Sequence, residues 1–100
     1  MIMIAGHVYV NPDELEAFVS EARATIPLAR ATDGCLFFSC AIDDPKEGSM
    51  IVLERWRDQE ALSAYLAAPH VQALFAKWGS KMRNEVRKYD ASNERAPLGV

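Results

Sequence analysis

Two histidines are the side chains of this 100-residue chain best suited to move a proton near neutral pH. His70 follows Pro69 at what reads as a helix start, and His7 sits inside the apolar run MIMIAGHVYV. Each has two readings. His70 is either a proton-transfer group or a half-exposed histidine near a helix N-terminus, where the positive end of the dipole disfavours the imidazolium. His7 is either satisfied by a neighbouring side chain, as a buried imidazole must be, or lines a pocket as a base or hydrogen-bond donor.

The aromatic residues divide in the same way. Trp56, Tyr65 and Phe75 are needed by any amphipathic strand or helix, yet they would also wall a flat ligand. Arg87 and Tyr89 share a face of the last strand, where they would reach an anionic or phenolic substrate or simply occupy an exposed edge. Cys35 and Cys40 lie five apart on a strand-like segment, so a period of two points them to opposite faces as two small buried hydrophobes. The sequence has no Gly-rich phosphate loop, Cys-x-x-Cys pair or His-Glu-x-x-His helix, so no nucleotide, iron–sulfur, zinc or other cofactor is expected.

The elements that must position these residues are legible from periodicity. Residues 1–10 read as a strand, and Asn11-Pro12-Asp13-Glu14 as a helix start with Asn as N-cap, Pro first and Glu closing a capping box. The helix runs over 12–32, with Leu15, Phe18, Val19, Ala22, Ile26 and Ala29 in one stripe and a disturbance at Pro27. Strands follow at Cys35 to Ile42 and Ser49 to Arg57, joined by the polar turn 43–48. Asp58 caps a helix that presents Leu62, Tyr65 and Leu66, and a further helical piece from Pro69 to Gly79 presents Val71, Leu74, Phe75 and Trp78. A strand over Asn84 to Ala91 and an aperiodic tail over 92–100 complete a chain read as one domain, 1–100.

The order β-α-β-β-α-β with right-handed crossovers predicts a ferredoxin-like α+β fold, a four-stranded antiparallel sheet with its helices on one face. The first strand is apolar on both sides: Ile2, Ile4, Val8 and Val10 on one, Met3, Ala5, His7 and Tyr9 on the other. Helices cover only one of them, so the expectation is a homodimer through the other. The purely apolar Ile2, Ile4, Val8 and Val10 face is assigned to the second protomer, and His7 with Tyr9 to the pocket beneath the helices.

Half of the residues are apolar and a quarter charged, with a formal charge of −3 and a pI near 5.3. That balance has no excess of cations to neutralise phosphates and argues against nucleic-acid binding. No apolar run is long enough for a membrane span, and Met1-Ile2-Met3-Ile4 lacks a basic signal region, so a cytoplasmic location is expected.

Three stretches, in order and on matching elements, carry a family resemblance: Arg30-Ala31-Thr32-Asp33-Gly34-Cys35-Leu36; then Leu53-Glu54-Arg55-Trp56-Arg57-Asp58 running to Ala61-Leu62; then Ala68-Pro69-His70. Together they resemble the antibiotic biosynthesis monooxygenase (ABM) family of small dimeric ferredoxin-like proteins. The resemblance implies a pocket between sheet and helices in which several members oxidise quinols, anthrones or related phenols with dioxygen and without metal or flavin. Other relatives cleave haem or isomerise small sugar-like ketones, so the fold alone selects no chemistry. Many members carry a histidine where this chain has Tyr65. The Asn, Trp and His of the haem-degrading members correspond to His7, Tyr65 and Phe75, which disfavours haem.

The expected activity is a cofactor-independent monooxygenase acting on a small phenol, quinol or anthrone. His70 or His7 is its base, and Trp56, Tyr65, Phe75, Tyr9 and Arg87 contact the substrate. The alternatives are a non-catalytic dimeric module that binds a small hydrophobic metabolite, and an isomerase of a small hydroxyketone.

Overall fold

The computed structural model describes residues 1–99. Val100, the last residue of the expected tail, lies outside them. Strand β1 (Ile2–Tyr9) leads through a single 3-10 turn at Pro12–Glu14 into α1 (Leu15–Ala24) and α2 (Ile26–Arg30). The hairpin β2 (Cys35–Ile42) and β3 (Ser49–Trp56), the helices α3 (Gln59–Leu66) and α4 (Pro69–Trp78), and β4 (Arg83–Asp90) follow. The strands form one antiparallel sheet in the order β2-β3-β1-β4, the expected ferredoxin-like arrangement.

Local chemistry accounts for the element boundaries. The Asn11 side chain accepts from the Asp13 amide at 2.9 Å, as an N-cap should. Glu14 pairs with Lys81 instead of closing a capping box. The helix expected over 12–32 is divided at Thr25, because Pro27 has no N–H and its ring crowds the carbonyl of residue 23. Asp58 caps α3 by accepting from the Ala61 amide at 2.9 Å. All six apolar residues expected along the first helix are buried.

The faces of β1 are the reverse of those expected. Ile2, Val8 and Val10 are buried beneath the helices with Ile4 packed against them, while His7 and Tyr9 lie on the uncovered face. The pairing explains the choice: Val8 stands opposite Met50, Gly6 opposite Val52 and Ile2 opposite Trp56, so the wholly apolar side of β1 continues the apolar side of β3. An imidazole in that layer would need a buried partner. On the other face His7 reaches the Asp43 carboxylate through Nε2 at 2.7 Å and stays 35% exposed.

A bulge at Leu36 also changes the reading of β2. Cys35 pairs with Trp56 but Phe37, not Leu36, pairs with Arg55, so the alternation is reset by one residue. Cys35 and Cys40 therefore both face the helices, rather than opposite sides as a strict period of two requires. Both thiols are free. The β2 edge is held under the first helices by Arg23, which donates to the Cys40 carbonyl, and Arg30, which donates to that of Phe38.

At the centre of the sheet Gly6 has φ +148°, and a Cβ there would stand 2.4 Å from the Glu85 carbonyl oxygen. Glycine is thus required where β4 crosses closely beside β1. The uncovered face carries Phe37, Ile51, Leu53 and Tyr89, all exposed. No helix among the described residues is long and apolar enough to cross a membrane.

Candidate active site

A cavity of about 260 Å³ lies between the sheet and the helices. Even-numbered residues of β1, β3 and β4 form its floor, and Phe18, Tyr65, Leu66, Phe75 and Trp78 its roof and walls. The lining is mostly apolar, which suits a small aromatic or hydrophobic molecule.

Glu54 is the one carboxylate in that lining. Burial pushes its pKa up, because removing water disfavours the charged form, and a hydrogen bond from Trp56 opposes this. The bond runs from the indole Nε1–H to Oε1 at 2.9 Å. Glu54 and Trp56 are two apart on one strand, so they necessarily share a face. A carboxyl with a raised pKa beside an apolar cavity is a proton acceptor poised closer to neutrality than a surface glutamate.

Tyr65 stands over this pair. Its ring is 5.1 Å from Trp56, 5.4 Å from Phe38 and 5.6 Å from His70, centroid to centroid. Burial pushes its phenol up to about 12, against the pull of the nearby Thr25 hydroxyl, so the group is neutral and able to donate. Burial likewise raises the Cys40 thiol, which lines the cavity as a neutral group and not as a thiolate. Trp78 adds an indole N–H that is buried without an acceptor among the described residues. A ligand oxygen would satisfy such a donor.

The residues singled out from sequence are only partly gathered here. Tyr65 and Phe75 line the cavity, Phe75 at 43% exposure, and Arg87 contributes to its lining from β4. Trp56 does not line it: the ring is fully buried at 0% exposure, behind Glu54, and holds the carboxylate instead of touching a ligand. His70 is also outside the lining, edge-on to Tyr65, with a buried Nε2 that has no partner among the described residues. His7 and Tyr9 lie on the far side of the sheet, where Tyr9 stacks beneath Arg83 at 4.1 Å. The expectation that they face the pocket fails with the reversed faces of β1.

Glu54 was the residue missed. Its signal was present as an acid of the same parity as Val52 and Trp56 on an apolar strand, and it became interpretable once that parity was known to face the helices.

The family model for antibiotic biosynthesis monooxygenase matches residues 1–77, from β1 into α4. The chain belongs to the ABM family. It is 29% identical over 77 residues to a Bacillus subtilis protein named Putative monooxygenase YcnE, a match covering 77% of this chain and 81% of that one. It is 29% identical over 76 residues to Synechocystis protein sll1783, covering 76% of this chain and 52% of the relative. The chain thus matches about half the length of the Synechocystis protein. The crystal structure of a Deinococcus radiodurans protein described as a putative antibiotic biosynthesis monooxygenase superposes with TM-score 0.86 at 19% identity, covering 99% of this chain and all of that one. Rv0793 from Mycobacterium tuberculosis does so with TM-score 0.82 at 23% identity, covering 95% and 98%. At such identities these superpositions establish the ABM fold.

Proposed function

We propose that this ABM domain is a cofactor-independent monooxygenase that oxidises a small phenol, quinol or anthrone with dioxygen. The observation that carries the reading is the Glu54 carboxyl, raised by burial and anchored by Trp56, at the edge of an apolar cavity that fits an aromatic ring.

In this mechanism Glu54 takes the proton of the substrate hydroxyl or activated CH, the role that the sequence suggested for His70 or His7. The resulting anion transfers one electron to dioxygen, and the radical pair collapses to a carbon–oxygen bond. The peroxide then loses water to leave a carbonyl. For an anthrone the sum is CH₂ plus O₂ giving C=O plus H₂O. All the electrons come from the substrate, so no external reductant enters. Tyr65, neutral and able to donate, hydrogen-bonds a substrate oxygen, and His70 positions its ring from the edge. The apolar walls exclude water from the anion.

The working unit in this reading is a homodimer in which the apolar face carrying Phe37, Ile51 and Leu53 meets its counterpart in a second copy. The whole chain acts as one domain, in the cytoplasm, where free Cys35 and Cys40 remain reduced.

A second reading has support in the placement of both histidines outside the cavity lining: a non-catalytic module that holds a hydrophobic metabolite. Oxygen uptake with a panel of anthrones and quinols separates the two. Wild-type uptake about 100-fold above that of Glu54→Gln is expected for a general base. Binding without uptake rejects the monooxygenase, and uptake equal in the two proteins rejects Glu54 as its base.

A further inference from the structure

The sheet register lays a polar row across the cavity floor. Ile4 of β1 pairs with Glu54 on one side and Lys88 on the other, and all three line the cavity. Adjacent strands are about 4.8 Å apart, so the Glu54 and Lys88 backbones are separated by roughly 10 Å with only the apolar Ile4 between them.

The two ends of the row differ. Glu54 is backed by the buried indole of Trp56 and lies under the aromatic roof. Lys88 is exposed, on the edge strand of the sheet. Its Nζ donates to the Gln59 side-chain oxygen at 2.7 Å, a neutral acceptor at the first turn of α3. An ammonium has three donors and this bond uses one of them. Lys77 is neutralised by Glu21, Lys81 by Glu14, Arg83 by Glu85 and Arg55 by Glu94, whereas Lys46, Arg87, Arg95 and Lys88 have no acidic partner among the described residues, and of these four Lys88 is the one whose strand parity faces the cavity. Lys88, opposite Ile4, lies on the helix-facing side of β4, whereas Arg87, opposite Ala5, has the parity of the uncovered face.

We propose that the substrate is an aromatic acid, with its reacting hydroxyl directed to Glu54 and a carboxylate at its other end held by Lys88, across Ile4. This rests on the cavity being the substrate site, and it adds to that reading the polarity of the substrate and its orientation. A two-ring phenol with a carboxylate at the opposite end spans the row. A neutral phenol fills the same apolar space but leaves Lys88 with its amide partner alone. Because the mouth is wet, the anion contributes selectivity of a few-fold and not the bulk of the affinity.

Equilibrium titration with 6-hydroxy-2-naphthoate and with 2-naphthol tests this without any need for turnover. Wild-type protein is expected to bind the acid about fivefold more tightly than the neutral phenol. Lys88→Gln should bring the affinity for the acid down to that for 2-naphthol, Lys88→Arg should retain the preference, and added salt should shrink it. Equal wild-type affinities, a preference that survives in Lys88→Gln, or failure of both probes to bind would overturn the proposal. Oxygen uptake is read separately. A Lys88-dependent preference without uptake would reject the monooxygenase and leave the anion-selective mouth standing.

Discussion

The indole N–H of Trp56 donates to the carboxylate of Glu54 across 2.9 Å, between two residues that share the helix-facing side of β3. Burial raises the carboxyl and this bond lowers it, so the tryptophan sets how far above the usual range the group titrates. A residue that looks from sequence like a ligand-binding aromatic therefore acts through its neighbour.

Replacing Trp56 with phenylalanine removes the opposing hydrogen bond and leaves burial unbalanced. The Glu54 pKa should rise further. Since the base must be ionised, the acid limb of the kcat/KM profile should move to higher pH. Loss of packing should cost about 2 kcal/mol of stability. A profile unchanged in pH but reduced in height would show that Trp56 serves packing alone.

Glu54 should also cost the fold stability as pH rises. Its folded pKa lies above the unfolded value, so the folded protein holds the proton more tightly. Below the unfolded pKa both states are protonated and the residue is neutral in effect. From about pH 4.3 upward the unfolded chain ionises first, and stability is lost until the folded group has also ionised. Urea melts of wild type and Glu54→Gln should therefore diverge in favour of the variant between acid and neutral pH. Parallel pH dependences would show that the carboxyl is not desolvated.

Gly6→Ala should destabilise the protein by about 2 kcal/mol or more, because the new Cβ meets the Glu85 carbonyl at 2.4 Å and the backbone is at φ +148°. Chemical denaturation reads this directly. A change below about 0.5 kcal/mol would mean that β4 can move away from β1 at no cost.

Leu53→Asp places a charge in the centre of the uncovered sheet face, beside Ile51 and Phe37. Light scattering should show wild type as a dimer and the variant as a monomer. A monomeric wild type, or a variant that remains dimeric, would remove that face as the dimer interface.

Much of the fold was legible because it depends on periodicity and punctuation. The stripe from Leu15 to Ala29, the Asp58 cap and the breaks at Pro27 and Pro69 follow from local rules, and each appears in the structure. Which side of β1 meets the helices depends on its partners. Both sides are apolar, and the decision lies in the match of Val8 with Met50 and Ile2 with Trp56. The bulge at Leu36 is equally non-local, and it places Cys35 on the side that strict alternation denied it. Once β1 was reversed, His7 and Tyr9 left the candidate site and Glu54, read only as part of a motif, entered it. Lys88 was missed for a similar reason, since its link to Glu54 exists only through the shared neighbour Ile4.

The most direct test of the account is the fate of oxygen. An anthrone that the protein binds is mixed with wild type and with Glu54→Gln under ¹⁸O₂, and the products are analysed by mass spectrometry. The account predicts one labelled oxygen in the product carbonyl and one in water, formed by wild type and lost in the variant. Product without label, solvent hydrogen exchanged into unoxidised substrate, or bound substrate recovered unchanged would contradict it.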